Sequence, residues 1–353
     1  MSHVELKNIS KHFPGVTALD DVSFDVKNGE FFVLLGPTGA GKTTTLRVIA
    51  GLEPQDTGSV TLDGEAVDKL TPSDRDVALV FQQYSLYPTM SVYDNLAFPL
   101  RSPLRRRPEN EIQKKVEETA EKLRITHLLK RKTAHLSGGE MQRVSIGRAI
   151  VRTPRVFLMD EPLSNLDAKL REALRIELQH LQKTQGSTTL FVTHDQIEAL
   201  TMADRIAILN EGKINQIGTP EDIYDRPATT FIAQMVGTPR INMCKAQFED
   251  NFVNISGSDL KVPAPSGIKL SSDFQVGIRP ENINPDPNGN FNGQLILKEP
   301  LGVETILHIQ SGQRTFLSLV PGMTSYQIGD AIQFNIGFDH LHYFGSDGNR
   351  LSF

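Results

Sequence analysis

Apolar and polar residues alternate at the start of the chain, with Val4 and Leu6, then Val22, Phe24 and Val26, sharing a face. This period of two predicts half-buried strands. Asn28-Gly29 follows as a turn signal. The pattern then changes to continuous apolar runs: Phe31–Leu35, Val77–Phe81, Val156–Met159 and Leu190–Thr193. Such runs predict strands of a parallel sheet covered on both faces. Gln82, Asp160 and His194 directly follow three of them. Open α/β sheets bind ligands at those strand ends.

Helical periodicity occupies the intervals. Thr44–Ala50 reads as a helix stopped at Gly51, Glu111–Leu123 as an amphipathic helix, and Gly139–Val151 as a helix terminated by Pro154. Asp167 is a candidate N-cap for a helix carrying Leu170, Leu174, Leu178 and Leu181 on one face. Near residues 236–242 the pattern returns to short period-two segments, among them Phe274/Val276/Ile278, Leu295/Leu297 and Ile332/Phe334/Ile336. The turn-rich stretch Asp286–Asn290 lies among them. The expected fold is an α/β phosphate-loop NTPase core over residues 1–235, with an antiparallel β layer and a helical subdomain at about 90–153. An all-β barrel over 236–353 follows.

Composition narrows the class. The chain has 353 residues with 39% hydrophobic and 22% charged residues, ordinary values for a globular protein of about two domains. A formal net charge of −5 supplies no basic excess for nucleic-acid binding, so no nucleic-acid partner is expected. The run Arg105-Arg106-Arg107 reads as a solvated loop because acidic residues follow it. Cys244 is the one cysteine, which excludes an intrachain disulfide and points to a reducing compartment. No apolar run approaches the roughly 18 residues of a membrane span, so a membrane role would run through a partner.

Gly36-Pro37-Thr38-Gly39-Ala40-Gly41-Lys42-Thr43, between a strand and the helix opening at Thr44, fits the phosphate loop G-x-x-x-x-G-K-[ST]. Glycines let backbone N–H groups curl around phosphate oxygens, and the helix N-terminus adds positive potential. Lys42 is expected to reach the β- and γ-phosphates, and the Thr43 hydroxyl to ligate Mg²⁺. Asp160, at the end of a buried strand, is a candidate Mg²⁺ residue, and Glu161 beside it a candidate general base. Ser137-Gly138-Gly139 opens a helix and forms a second candidate anion site; a simple helix cap is the plainer reading of the same serine.

Phosphate loop, Leu136-Ser137-Gly138-Gly139-Glu140, Asp160–Asp167 and Val192-Thr193-His194-Asp195, in that order, resemble the ATP-binding cassette (ABC) ATPases. Val80–Pro88, Gly218–Tyr224 and Gly277–Glu281 resemble the maltose-type carbohydrate importers within that family. The resemblance covers nearly the whole chain and implies a C-terminal OB-like, TOBE-type barrel. It implies Phe13 stacking on adenine, Gln82 contacting Mg²⁺ or the lytic water, and His194 bonding the γ-phosphate. It further implies Ser137 and Gly139 closing over ATP held by a second copy, with Asp167 organising that contact. Two permease subunits and, indirectly, an extracytoplasmic solute-binding protein are the implied partners. The implied location is the cytoplasmic face of a bacterial inner membrane. Tyr84, Leu86, Tyr87, Met90 and Val92 form an apolar cluster suited to a permease helix, with internal packing as the alternative.

Thr38, Ala40 and Thr43 depart from the commoner Ser, Cys and Ser of that family, and Glu140-Met141 stands where many members have Gln-Arg. The function so implied is hydrolysis of ATP to drive import of a sugar, polyol or related solute. Polyamine, sulfate and iron importers share much of the layout. A soluble cassette ATPase fits less well, because the signature follows the phosphate loop within about 100 residues, one compact domain's worth. No Asn-Lys-x-Asp guanine element is present.

Overall fold

A computed structural model describes residues 2–103, 106–264 and 273–351. Arg105 of the triple-arginine run lies outside these; Arg107 pairs with Glu111 at 3.4 Å, one helical turn on. The chain divides into two compact units, Met1–Pro220 and Glu221–Phe353.

The first unit holds two sheets. Strands β1 (Val4–Phe13), β2 (Val16–Val26), β4 (Thr57–Leu62) and β5 (Glu65–Ala66) form an antiparallel sheet in the order β2-β1-β4-β5. The second sheet contains β3 (Phe31–Leu35), β6 (Val77–Val80), β7 (Val156–Asp160), β8 (Thr189–Thr193), β9 (Arg205–Asn210) and β10 (Lys213–Gly218). Its order is β10-β9-β3-β8-β7-β6, parallel except for the β9–β10 pair. Every residue of β3, β7 and β8 is buried, as their unbroken apolar runs require. Helix α1 (Lys42–Ala50) starts directly from the phosphate loop and ends at Gly51, whose φ of 74° suits a left-handed C-cap. Buried Arg75 donates to the last carbonyls of α1, at Val48 (2.8 Å) and Ile49 (2.9 Å).

Helices α2 (Val92–Ala97), α3 (Glu109–Lys122) and α4 (Gly138–Ile150) occupy the segment expected to be helical. Val92 is fully buried, so its place in the apolar cluster is internal packing. Tyr87 stays 38% exposed and packs on Phe98 with ring centroids 4.6 Å apart. Helix α5 (Ala168–Gln185) begins at Asp167, whose carboxylate accepts from the Leu170 N–H at 3.0 Å, and buries Leu174, Leu178 and Leu181. Helix α6 (Gln196–Met202) begins at Asp195, which accepts from the N–H groups of Ile197 and Glu198.

The second unit starts earlier than the expected boundary at 235/236. Helices α7 (Pro220–Asp225) and α8 (Thr230–Met235) precede the strands. Arg279, 2% exposed, donates to the carbonyls of Tyr224 (2.8 Å), Ala233 (3.2 Å) and Val236, which ties both helices to the β-rich part. Period-two patterning cannot reveal this, because the tie is one arginine far along the chain. The strands are β11 (Asn242–Glu249), β12 (Phe252–Ile255), β13 (Lys261–Pro263), β14 (Phe274–Ile278), β15 (Ile283–Pro285), β16 (Phe291–Pro300), β17 (Glu304–Ser311), β18 (Arg314–Pro321), β19 (Ala331–Ile336) and β20 (His342–Gly345). They form two five-stranded antiparallel sheets, β13-β12-β11-β14-β20 and β15-β19-β16-β17-β18, around one shared core. Leu295 is buried in that core but Leu297 is 44% exposed, because a register shift between them breaks the alternation.

Candidate functional site

Sheet order explains why distant residues meet. Along β3-β8-β7-β6 the parallel register pairs Leu35 with Thr193, Val192 with Asp160, and Met159 with Val80. The residues that leave these strands therefore emerge side by side: the phosphate loop, His194, Glu161 and Gln82. Phe13, Val16, Ala18, Thr38, Gly39, Gly41, Lys42, Thr43, Thr44, Gln82, Glu161 and His194 line one cleft of about 520 Å³. Phe13 is 41% exposed there, with the Lys11 ammonium 5.2 Å from its ring centroid.

The phosphate loop is shaped by close backbone approach. Gly41 has φ of 106°, and a Cβ there would lie 2.4 Å from the Ala18 carbonyl oxygen, so only glycine fits. Gly41 stands at the N-cap position without a side-chain cap, which leaves the first N–H groups of α1 uncommitted to a capping oxygen. Lys42 is 5% exposed; its ammonium donates to the carbonyls of Gly36 (2.9 Å) and Pro37 (3.0 Å) and lies 3.5 Å from Glu161 Oε1.

Glu161 is the hub. Its φ of 44° is left-handed, a conformation costing a non-glycine residue about 1–3 kcal/mol and concentrated at functional sites. The same carboxylate accepts from Gln82 Nε2 at 3.4 Å and lies 2.9 Å from His194 Nδ1. Asp160 is buried, and burial pushes its carboxyl above the ordinary aspartate range, partly opposed by the hydrogen bond from Thr43. The Thr43 hydroxyl donates to Asp160 Oδ1 at 3.0 Å. Hydroxyl and carboxylate oxygens fit a hard cation that keeps phosphate and water among its ligands, as Mg²⁺ does.

Ser137, Gly138, Gly139 and Asp167 do not line this cleft. Ser137 caps α4 in a reciprocal box: its backbone N–H donates to Glu140 Oε2 at 2.7 Å, and its Oγ accepts from the Glu140 N–H. Gly139 is buried; a Cβ there would fall 2.1 Å from Leu170 Cδ2.

With this geometry in place, similarity to known proteins is decisive. Residues 19–164 match the ABC transporter family and residues 276–344 the TOBE domain. The chain is 43% identical to the sn-glycerol-3-phosphate import ATP-binding protein UgpC of Psychromonas ingrahamii, covering 99% of this chain and 95% of that protein. It is 44% identical to the trehalose/maltose import ATP-binding protein MalK of Thermococcus litoralis over the full length of both. The dimeric bacterial ABC transporter cassette MJ0796 superposes with a TM-score of 0.56 at 31% identity, over 62% of this chain and 98% of that one. The chain belongs to the ABC transporter ATP-binding family.

As an ABC ATPase it binds nucleotide. Its cassette also holds residues that motif reading left without roles. Asn165 Nδ2 donates to the Gln82 carbonyl at 3.0 Å, and Ser164 Oγ to the Glu161 carbonyl at 2.9 Å. Both lie inside the Asp160–Asp167 run, which was the available signal. Glu198, beyond that run, is buried and accepts from Thr193 Oγ1 at 2.5 Å. Burial pushes its carboxyl above the usual range.

Proposed function

We propose that this chain is the ATP-hydrolysing subunit powering a binding-protein-dependent importer of a sugar, polyol or related solute. Two copies would work together with two permease subunits on the cytoplasmic face of a bacterial inner membrane. The observation that carries the reading is the convergence of Lys42, Gln82 and His194 on one carboxylate, Glu161.

In this reading the triphosphate enters the loop 36–43, and its oxygens take the Lys42 ammonium from the Gly36 and Pro37 carbonyls. Phe13, exposed at the mouth of the cleft, stacks on adenine. Thr43, Asp160 and Gln82 would hold Mg²⁺, which when bound would supply charge neutralisation at the triphosphate. Glu161 polarises the water that attacks the γ-phosphorus, and His194 holds the γ-phosphate in line. The bond to the β–γ bridging oxygen breaks, giving ADP and inorganic phosphate. General-base assistance of this kind contributes about 10²–10⁴-fold.

Ser137, Gly139 and Asp167 stand apart from the cleft of their own copy, which supports a role at the nucleotide of a second copy. Among the described residues no helix is long and apolar enough to cross a membrane, so coupling to translocation needs a permease. A groove of about 340 Å³ between Tyr87, Phe98, Arg148 and the β6 residues Val77–Leu79 suits a permease helix. The sugar-class solute rests on relatives named for import of glycerol phosphate and of trehalose and maltose.

The decisive experiment is Glu161→Gln in the full chain. ATP affinity by calorimetry is expected unchanged, turnover lost by about 10²–10⁴-fold, and a dimer trapped with Mg-ATP on a sizing column. Wild-type turnover in this variant removes Glu161 from the mechanism.

A further inference from the structure

Two loops that carry site residues are joined by a side chain that belongs to neither. Arg171 sits one turn into α5. Its Nη2 donates to the Leu166 carbonyl at 3.1 Å, immediately before Asp167. Its Nη1 lies 3.6 Å from Asp195 Oδ2, immediately after His194. The His194 ring also lies 2.9 Å from Glu161 Oε2, and the turn Thr193–Asp195 is held by its own hydrogen bonds. The Asp195 N–H donates to Thr193 Oγ1 at 2.9 Å, Thr193 Oγ1 donates to Glu198, and Asp195 Oδ1 accepts from the Ile197 N–H at 2.7 Å. None of the turn's own hydrogen bonds reaches Leu166 or Asp167; the His194–Glu161 contact meets only the opposite end of the loop that ends at Asp167. Arg171 Nε is buried and has no hydrogen-bond partner. The guanidinium is thus committed at both ends but not saturated, which leaves it a donor in reserve if either loop shifts.

We propose that Arg171 is a positioning residue: it ties the Leu166–Asp167 loop to the Asp195 carboxylate, so that placement of His194 depends on where the Asp167 loop lies. This rests on the functional reading above, in which Asp167 meets the second copy and His194 meets the γ-phosphate. Docking of a second copy against the Asp167 end of the loop is then transmitted to His194 through the Arg171 fork, alongside the His194–Glu161 contact at the loop's other end. Arginine suits this task because its planar guanidinium grips two acceptors in fixed relative orientation, whereas lysine offers a single point charge.

The test is a double-mutant cycle in the full chain with Arg171→Met, Arg171→Lys, Asp195→Asn and Arg171→Met/Asp195→Asn. ATP turnover is measured against ATP concentration, and nucleotide affinity by calorimetry. Arg171→Met is expected to lower kcat about tenfold, because misplacing a catalytic group by fractions of an ångström costs this order, with KM and nucleotide affinity held within about twofold. Asp195→Asn is expected to match it, and the double variant to be no slower than either, the signature of one shared interaction. Arg171→Lys is expected to restore less than half of the loss. Additive losses, or equal losses in affinity and turnover, overturn the proposal. So does full activity in Arg171→Met. If Arg171→Met fails to fold, Asp195→Asn and Arg171→Lys decide, since unchanged kcat in both refutes the tie. A wild-type chain without ATP hydrolysis would instead refute the functional reading itself.

Discussion

The loop at Gly36–Thr43 and the loop at Ser137–Gly139 both feed glycines into the start of a helix, yet they are finished in opposite ways. The first has Gly41 at its N-cap with no capping oxygen, so the helix amides remain open towards the cleft. The second closes on itself through the Ser137–Glu140 box, and hydrogen bonds from Ser137 hold the Glu140 carboxyl below its usual range. Gly39 has no atoms within 4 Å of a notional Cβ, whereas Gly139 is pressed against Leu170. The same chemistry of glycine, hydroxyl and helix end can be open to a ligand or internally satisfied. A loop that is internally satisfied must exchange its own hydrogen bonds before it can hold an anion. In the proposed reading, a second copy supplies that anion already bound.

The contrast predicts different failures. Lys42→Ala should weaken ATP binding by a single chain about ten- to hundredfold, since a charge-assisted contact contributes about 1.5–3 kcal/mol. Calorimetry showing unaltered affinity would contradict the assignment of the first loop. Gly139→Ala should leave that affinity unchanged but lower turnover about tenfold, because a methyl group crowds Leu170 and blocks close backbone approach to the second copy's phosphate. A parallel loss of binding would mean that the second loop serves its own chain.

Glu140→Ala should act more gently and in two directions. Ser137 still caps α4, and the lost Glu140 arm of the box is a hydrogen bond worth about 0.5–1.5 kcal/mol, so the melting midpoint falls by a few degrees. Turnover at low ATP should rise about two- to threefold as the competitor for Ser137 disappears. A lower midpoint with no kinetic gain would show that Glu140 never competes with phosphate.

Asp160→Asn, at the end of β7 where Thr43 of the first loop donates to it, should have the smallest effect on the stability of the nucleotide-free chain. Burial raises the Asp160 carboxyl above 3.8, so the folded chain holds that proton more tightly than the unfolded one. The charged carboxylate therefore destabilises the fold above the folded pKa, and the penalty fades as pH falls towards the unfolded value. In the nucleotide-free chain the asparagine variant should melt about 2–4 °C higher at neutral pH, with the gap closing in acid. A lower midpoint at neutral pH would show that the carboxylate is stabilised in place.

Much of this was readable along the chain. The strands that enter the site are unbroken apolar runs, and Gly51 and Asp167 end or start helices as their residue types dictate. The phosphate loop is legible because every one of its requirements is local: a strand, tight glycines, one lysine, one hydroxyl, one helix. The Leu295/Leu297 pair was not, since a bulge reverses the face of one residue without any change of residue type. Nor was the boundary between the two units, where the decisive contact is Arg279 reaching back to Tyr224, Ala233 and Val236.

The amino-acid order alone determined the nucleotide-binding chemistry, because short-range backbone geometry and residue type suffice to define a phosphate loop and its helix. Only the folded chain decided who stands beside whom. Gln82, Glu161 and His194 become neighbours through the strand order β3-β8-β7-β6, Val92 disappears into the interior, and Arg171 spans two loops. Those outcomes depend on long-range packing of a parallel sheet, where contact partners lie many residues apart and no local preference encodes their pairing.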